Sequence, residues 1–258
     1  KSRFSVKYDP IMALKTILNY SPNFNSKKRI SKEIKFIIFH YTGMKKESEA
    51  IKKLTNIQSE VSSHYIVKNN GELVKLLPDL YIAWHAGKSS WKNYKSLNSN
   101  SIGIEITNPG HEFNYKNFSK KQIMSIIKLS KFLIKKYTIN SQNILGHSDI
   151  APERKKDPGE KFPWKYLSQN KIGLWHTLKN HELIKNRNLK TTKVEKILFY
   201  NNLFKIGYSK KTPKYLDKDR YLREVVKTFQ RRFRQALVNA KIDRECLLIS
   251  TNLLKKYK

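Results

Sequence analysis

One cysteine, Cys246, stands in 258 residues. No intrachain disulfide can form, and zinc sites built on two or four cysteines are excluded. Any metal would have to be held by histidine and carboxylate. Cys246 falls at an apolar position of a helical repeat, where a free thiol acts as a small core residue. Long apolar runs are missing too. Stretches such as Phe36-Ile37-Ile38-Phe39 are far too short to span a bilayer, so no transmembrane segment is expected. The amino terminus, Lys1-Ser2-Arg3-Phe4, has no apolar stretch of signal-peptide type. The chain does not begin with Met, and removal of an upstream export signal is one expectation. Internal repeats and low-complexity tracts are absent. Acidic side chains are scarce: 20 Asp and Glu face 53 Lys and Arg, a formal net charge of +33. Such a surface attracts polyanions, whether nucleic acid, anionic lipid or wall polymer. Lys, Asn and Ile are abundant together, as in coding regions rich in A and T, so charge alone does not choose a partner. No finger, helix-turn-helix or single-strand-binding motif accompanies it, and no specific nucleic-acid partner is expected.

What is present suffices for a core: 39% hydrophobic and 12% aromatic residues. The length suits one large domain, or a medium one plus a small one. A strand is expected over 34–39, ending at His40, and a helix around 47–57. Strands over 63–68 and 72–76 flank Asn69-Asn70-Gly71, a strong hairpin signal. Another strand covers 102–107. Ser119 and Gln122 have capping-box spacing, and apolar residues at Ile123, Ile126, Ile127, Leu133, Ile134 and Tyr137 continue with helical period. A loop-rich segment follows from Gly146 to Trp164. Strands mixed with helices and short turns make the fold class α/β, with a first domain over 1–180. The stretch 179–193 is polar and reads as a linker. Beyond it, 190–258 reads as a small three-helix domain near the lower size limit for independent folding. Its helices cover 194–206, stopped by Gly207; the segment with Leu222, Val225, Val226, Phe229 and Phe233 on one face; and the segment after the N-cap Asp243.

Two of the seven histidines suit metal binding. His40 ends an apolar strand, where a side chain reaches the sheet rim. His147 follows Gly146 at the opening of a loop that also supplies carboxylates. Two histidines and one carboxylate leave a fourth zinc position open to water, the pattern of a catalytic site. Pro158 favours extended backbone at Asp157. Alternate residues then share a side, so Lys155 rather than Lys156 faces the metal with Asp157, placed to stabilise an oxyanion. Glu105 interrupts the strand Ile102-Gly103-Ile104-Glu105-Ile106, where Gly103 leaves space beside the carboxylate. It could take a proton from zinc-bound water and pass it to a leaving amine.

The run Gly146-His147-Ser148-Asp149-Ile150-Ala151-Pro152, continuing through Arg154-Lys155-Lys156-Asp157-Pro158-Gly159 to Phe162-Pro163-Trp164, resembles the signature loop of type-2 N-acetylmuramoyl-L-alanine amidases. These share with peptidoglycan recognition proteins and phage lysozyme-type amidases a fold with a mixed central β-sheet flanked by helices, and the resemblance implies that 1–180 is a zinc amidase catalytic domain. Phe39-His40-Tyr41-Thr42, Ser63-His64-Tyr65, Trp84-His85-Ala86-Gly87 and Ser101-Ile102-Gly103-Ile104-Glu105 match in order, so the likeness spans roughly 30–178. The resemblance implies one zinc ion per chain on His40, His147 and Asp157, with Glu105 as acid/base and Lys155 as oxyanion stabiliser. It implies a substrate groove lined by Tyr41, Trp84, His85 and Ala86. The activity it implies is cleavage between N-acetylmuramic acid, intact or 1,6-anhydro, and L-alanine in peptidoglycan or muropeptides. His64 reads as structural, Asp149 as a loop-ordering group, and His111, His176 and His181 as surface or packing residues. The tail, through 225–233 and 242–245, resembles the peptidoglycan-binding module that follows the catalytic domain in outer-membrane amidases, but lacks the glycine-rich turn before Ile242. Bracing of the catalytic domain and support of self-association are the alternative expectations for it. The cell envelope, periplasmic or outer-membrane associated, is the expected location, with a cytoplasmic recycling role as the alternative. A non-cleaving peptidoglycan-recognition protein and a polyanion binder are the rival functions.

Overall fold

The computed structural model describes residues 16–257. Lys1–Phe4 and the rest of the first fifteen residues of the expected 1–180 domain lie outside the described residues. In chain order the strands are β1 (Thr16–Leu18), β2 (Phe24–Asn25), β3 (Phe36–Tyr41), β4 (Tyr65–Val67), β5 (Leu73–Lys75), β6 (Ile82–Ala83), β7 (Ser90–Trp91), β8 (Tyr94–Lys95), β9 (Ser101–Ile106) and β10 (Ile144–Gly146). The helices are α1 (Glu47–Thr55), α2 (Lys120–Tyr137), α3 (His147–Ile150), α4 (Trp164–Gln169), α5 (Asn180–Asn186), α6 (Lys193–Ile206), α7 (Lys218–Phe233) and α8 (Arg244–Lys256).

Six strands form the central mixed sheet in the order β1-β5-β4-β9-β3-β10. The β4–β5 pair is the antiparallel hairpin expected at Asn69-Asn70-Gly71; Asn70 Oδ1 accepts from the Glu72 amide, and Gly71 takes φ +84°. The strands β4, β9, β3 and β10 run parallel. Parallel strands are covered on both faces, which explains why Phe36 to Phe39 are apolar without alternation. The register pairs His40 with Glu105 and Phe39 with Gly146. Three neighbouring strands therefore end at one sheet edge, bringing His40, Glu105 and the start of the 146–164 loop together. Crevices at the carboxyl ends of parallel strands are where α/β sheets bind ligands.

Each face of the sheet has its own core. On one face Ile37, Phe39, Ile102 and Ile104 pack with Ile126, Ile127 and Leu133 of α2. The expected capping box starts that helix: Ser119 Oγ accepts from the Gln122 amide at 3.1 Å, and Gln122 Oε1 accepts from the Ser119 amide at 3.0 Å. On the other face Phe36, Ile38 and Leu145 join Phe199 and Leu203 of α6, Val225, Phe229 and Phe233 of α7, and Cys246 and Ile249 of α8. The three tail helices form as read, with Thr192, Asp217 and Asp243 as N-caps, but their apolar faces pack onto the sheet as well as onto one another. The stretch 179–193 is not a plain linker. It contains α5, whose seven residues are too few to show a period, and it is tied down by Arg187, which bonds both oxygens of Glu245 at 2.7 Å.

His64 is fully buried and structural, as expected. Its Nδ1 accepts from the Gly103 amide at 3.0 Å, and its Nε2 lies 3.0 Å from both Tyr81 O and the Arg29 guanidinium. Burial, with the neighbouring Arg29 guanidinium, lowers its pKa to about 3. In an unfolded chain the same imidazole titrates near about 6.5. The folded value is the lower one, so this contribution is intact above pH 6.5 and is lost as pH falls toward 3, by up to about 1.4 kcal/mol per pH unit. Denaturant midpoints should fall between pH 7 and 4. His64→Asn should flatten that slope while lowering stability at pH 7. An unchanged slope would show that His64 titrates alike in both states.

Candidate metal and catalytic centre

His40 comes from β3, His147 is the first residue of α3, and Asp157 closes the loop ten residues on. His40 Nδ1 and His147 Nδ1 lie 2.9 Å apart, and each is 3.1 Å from Asp157 Oδ2. All three side chains are buried. The Ser148 amide donates to Asp157 O at 2.9 Å, tying the two loop residues together. Burial, then His147, brings the His40 pKa down to about 4. Burial alone would raise Asp157, but His147 and His40 outweigh it and hold the carboxyl well below the usual range. Neutral imidazoles and an ionised carboxylate are the forms that bind a divalent cation. These are the only three residues among those described whose His, Cys or carboxylate atoms gather closely enough to hold a metal ion.

Hydrogen bonds fix which imidazole nitrogens face the centre. The Ser101 hydroxyl donates to Leu97 O at 2.6 Å, so its oxygen accepts from His85 Nε2–H at 3.1 Å. His85 Nδ1 then accepts from His40 Nε2–H at 3.0 Å, leaving the His40 Nδ1 lone pair turned inward. His147 Nε2–H donates to Ala86 O at 3.2 Å, which leaves its Nδ1 lone pair on the same point. Outer partners of this kind set ligand tautomer and orientation. Asn98 Oδ1 accepts from the amides of His85 and Ala86 and holds the segment in place.

The four residues read as groove-lining therefore divide. Tyr41 and His85 line the cavity over the centre, though the His85 ring is engaged behind His40. Ala86 is fully buried and offers its carbonyl to His147. Trp84 is not among the lining residues; its indole N–H donates to Asn25 Oδ1 at 2.6 Å on the side of the small β2–β6 ribbon. The expectation for Gly103 also changes. A Cβ there would meet the His85 ring at 2.5 Å, so the glycine makes room for that ring rather than for Glu105.

The cavity holds about 330 Å³, and Glu105, Lys53, Arg154, Lys155 and Lys156 line it with the triad. Glu105 stays partly open to it, yet its Oε2 atom is buried without a hydrogen-bond partner. Burial and Asp157 push its pKa up to about 8, with Lys155 pulling the other way. Lys156 is exposed and pairs with Glu112 at 3.4 Å, whereas Lys155 is half-buried and close enough to act on Glu105 and His40. Sequence reading missed two supports. Arg154 Nη2 donates to Ala86 O and Lys88 O at 2.5 and 2.6 Å. His111, read as surface or packing, bonds Tyr41 Oη through Nδ1 at 2.8 Å and Glu160 through Nε2 at 3.1 Å. Neither shows a local signal, because each partner is distant in sequence.

The family described as N-acetylmuramoyl-L-alanine amidase matches residues 30–160. N-acetylmuramoyl-L-alanine amidase AmiD of Escherichia coli is 36% identical over 239 residues, covering 87% of this chain and 83% of that protein. A solved complex of E. coli AmiD with anhydro-N-acetylmuramic acid-L-Ala-D-gamma-Glu-L-Lys superposes with TM-score 0.76 at 34% identity, over 90% of this chain and 93% of that one. AmpDh3 from Pseudomonas aeruginosa in complex with anhydromuramic pentapeptide gives TM-score 0.75 at 28% identity, over 92% and 97%.

If the His85–Ser101 relay sets the His40 tautomer, His85→Ala should weaken zinc binding about 10- to 100-fold. Gly103→Ala should act in the same direction by displacing the His85 ring. Competition against a chromophoric chelator reads both, and wild-type affinity in His85→Ala would remove it from this role.

Proposed function

The chain belongs to the N-acetylmuramoyl-L-alanine amidase family, and from that premise we propose that it uses one zinc ion to hydrolyse the amide joining N-acetylmuramic acid to L-alanine. The observation that carries the reading is the meeting of His40 Nδ1, His147 Nδ1 and Asp157 Oδ2 under a cavity into which Glu105 turns a carboxylate with an unpartnered oxygen. His40, His147 and Asp157 would hold the ion, and their donor set suits zinc with one position left open. When bound, zinc supplies Lewis acidity, acidifying water and polarising the scissile carbonyl.

The rest falls to this chain's own side chains. Glu105 accepts a proton from the attacking water and returns it to the amide nitrogen as the C–N bond breaks. Its raised pKa suits both halves of that exchange near neutral pH. The Lys155 ammonium faces the carbonyl oxygen as it gains negative charge. Tyr41, braced by His111 and Glu160, forms a wall of the cavity. Both solved complexes hold anhydro-muramyl peptides, which supports muropeptides bearing the 1,6-anhydro sugar as substrates; the reading extends to the intact sugar, whose amide to L-alanine is the same bond. No helix among the described residues is long and apolar enough to cross a membrane. We place the enzyme in the cell envelope, where its polymeric substrate lies.

Glu105→Gln should keep one zinc per chain and lose about 10²- to 10⁴-fold in turnover. Lys155→Met should lose about 10²- to 10³-fold, and Lys156→Met should stay close to wild type. Mass spectrometry of products from sacculi and from anhydro-muropeptides reads the activity. Free stem peptide from Glu105→Gln at the wild-type rate would sink its assignment. Binding without any cleavage by the zinc-loaded wild type would favour a recognition protein instead.

A further inference from the structure

The loop carrying His147, Lys155 and Asp157 is held from outside by the tail. Asp149 lies two residues after His147 and is buried. Its Oδ2 accepts from the Gly146 amide at 2.8 Å, closing the turn on which His147 sits. Its Oδ1 accepts from Tyr208 Oη at 2.8 Å, just past α6. Arg232 of α7, also buried, donates Nη1 to Asp149 Oδ2 and Nη2 to Ile144 O at 3.0 Å. The same guanidinium lies 4.2 Å over the Trp164 ring, and Gln235 Nε2 donates to Phe162 O at 2.6 Å. Contacts from the tail thus bracket the loop at 144, 149 and 162–164.

We propose that Arg232 is a positioning residue of the amidase centre: with Tyr208 it fixes the Asp149 carboxylate that sets the turn bearing His147. The helices α6 to α8 are then a working part of that centre. What the centre does rests on the amidase reading; its dependence on Arg232 rests on the contacts above. The Asp149–Gly146 bond fixes the His147 backbone, and the Ser148 amide passes that constraint to the Asp157 carbonyl. Without the guanidinium, Asp149 would be a buried carboxylate left with neutral partners, and it would draw in water or move. Either response shifts a ligand nitrogen relative to its two partners.

The test uses the full chain. Arg232→Leu should raise the zinc Kd about 10- to 100-fold, alter the visible spectrum of the cobalt-substituted protein, and lower kcat with KM nearly unchanged. Arg232→Lys keeps the charge but not the planar fork, and should recover part of each. A merely structural role would lower the melting temperature and leave the zinc Kd and cobalt spectrum at wild-type values, and that result overturns the proposal. Should Arg232→Leu fail to fold, Asp149→Asn combined with Arg232→Met leaves no buried charge and is read in the same way; wild-type zinc affinity in that pair also overturns it. Zinc Kd and spectrum do not depend on turnover. A chain that fails to cleave muropeptides but shows these shifts refutes the amidase reading alone.

Discussion

The close approach of two imidazole nitrogens and one carboxylate oxygen is the constraint on which the rest of the molecule depends. Three lone-pair donors within 3.1 Å of one another repel unless a cation or proton lies between them. Burial lowers the affinity of His40 for a proton, which leaves its Nδ1 lone pair free at neutral pH. Holding donors in that state takes a relay with a fixed direction. Its last acceptor is the Leu97 backbone carbonyl, which cannot reverse role, so every hydrogen bond back to His40 has one orientation. The Trp84-His85-Ala86-Gly87 segment serves both histidines, one through a ring and the other through a carbonyl.

Sheet topology makes that convergence repeatable. Because β9, β3 and β10 are parallel and adjacent, their carboxyl ends share an edge, and register alone sets Glu105 beside His40. The β10–β3 pairing delivers Gly146 opposite Phe39, so the next residue, His147, turns over the same edge. Buried ion pairs then lock the periphery: Arg232 with Asp149, and Arg234 with Asp243 and Glu245. Desolvation cancels most of the attraction in such pairs, yet breaking one strands a charge at about 3–5 kcal/mol. The Arg232 pair singles out one arrangement of the tail on the loop, and the Arg234 cluster one arrangement within the tail.

Legibility followed the range of the interaction. The α2 cap, the β4–β5 turn and the N-cap at Asp243 are local, and the sequence displays them residue by residue. The apolar run of β3 announced a buried strand. His40, His147, Asp157, Glu105 and Lys155 were legible from strand position, the proline constraint and resemblance to a family loop, and all five border one cavity. Long-range pairings left no such mark. Gly146 read as the start of a loop and Ile144 and Leu145 carried no strand signal, because only pairing with β3, far earlier in the chain, makes them a strand. Ala86 acts through its carbonyl, which no residue type encodes. The tail read as a separate bundle because its helices are amphipathic; only the sheet face on which they pack shows that one apolar side serves two purposes.

The excess of positive charge takes on a definite meaning at the cavity. Four cationic side chains line it, but two are committed: Arg154 to the carbonyls of Ala86 and Lys88, and Lys156 to Glu112. Lys53 and Lys155 form no ion pair among the described residues, and both pull against the raised pKa of Glu105. The carboxylates of a muramyl peptide would meet those two ammonium groups at the entrance to the centre. Glu105, Glu112 and Asp157 line the cavity as well, so it is not of one sign, but the field of the free ammonium groups at its wall still attracts an anionic ligand. The same field cannot choose among polyanions. On the amidase reading, selection would fall to the edge where the parallel strands end, since Glu105 and the three donor atoms of His40, His147 and Asp157 border one cavity there.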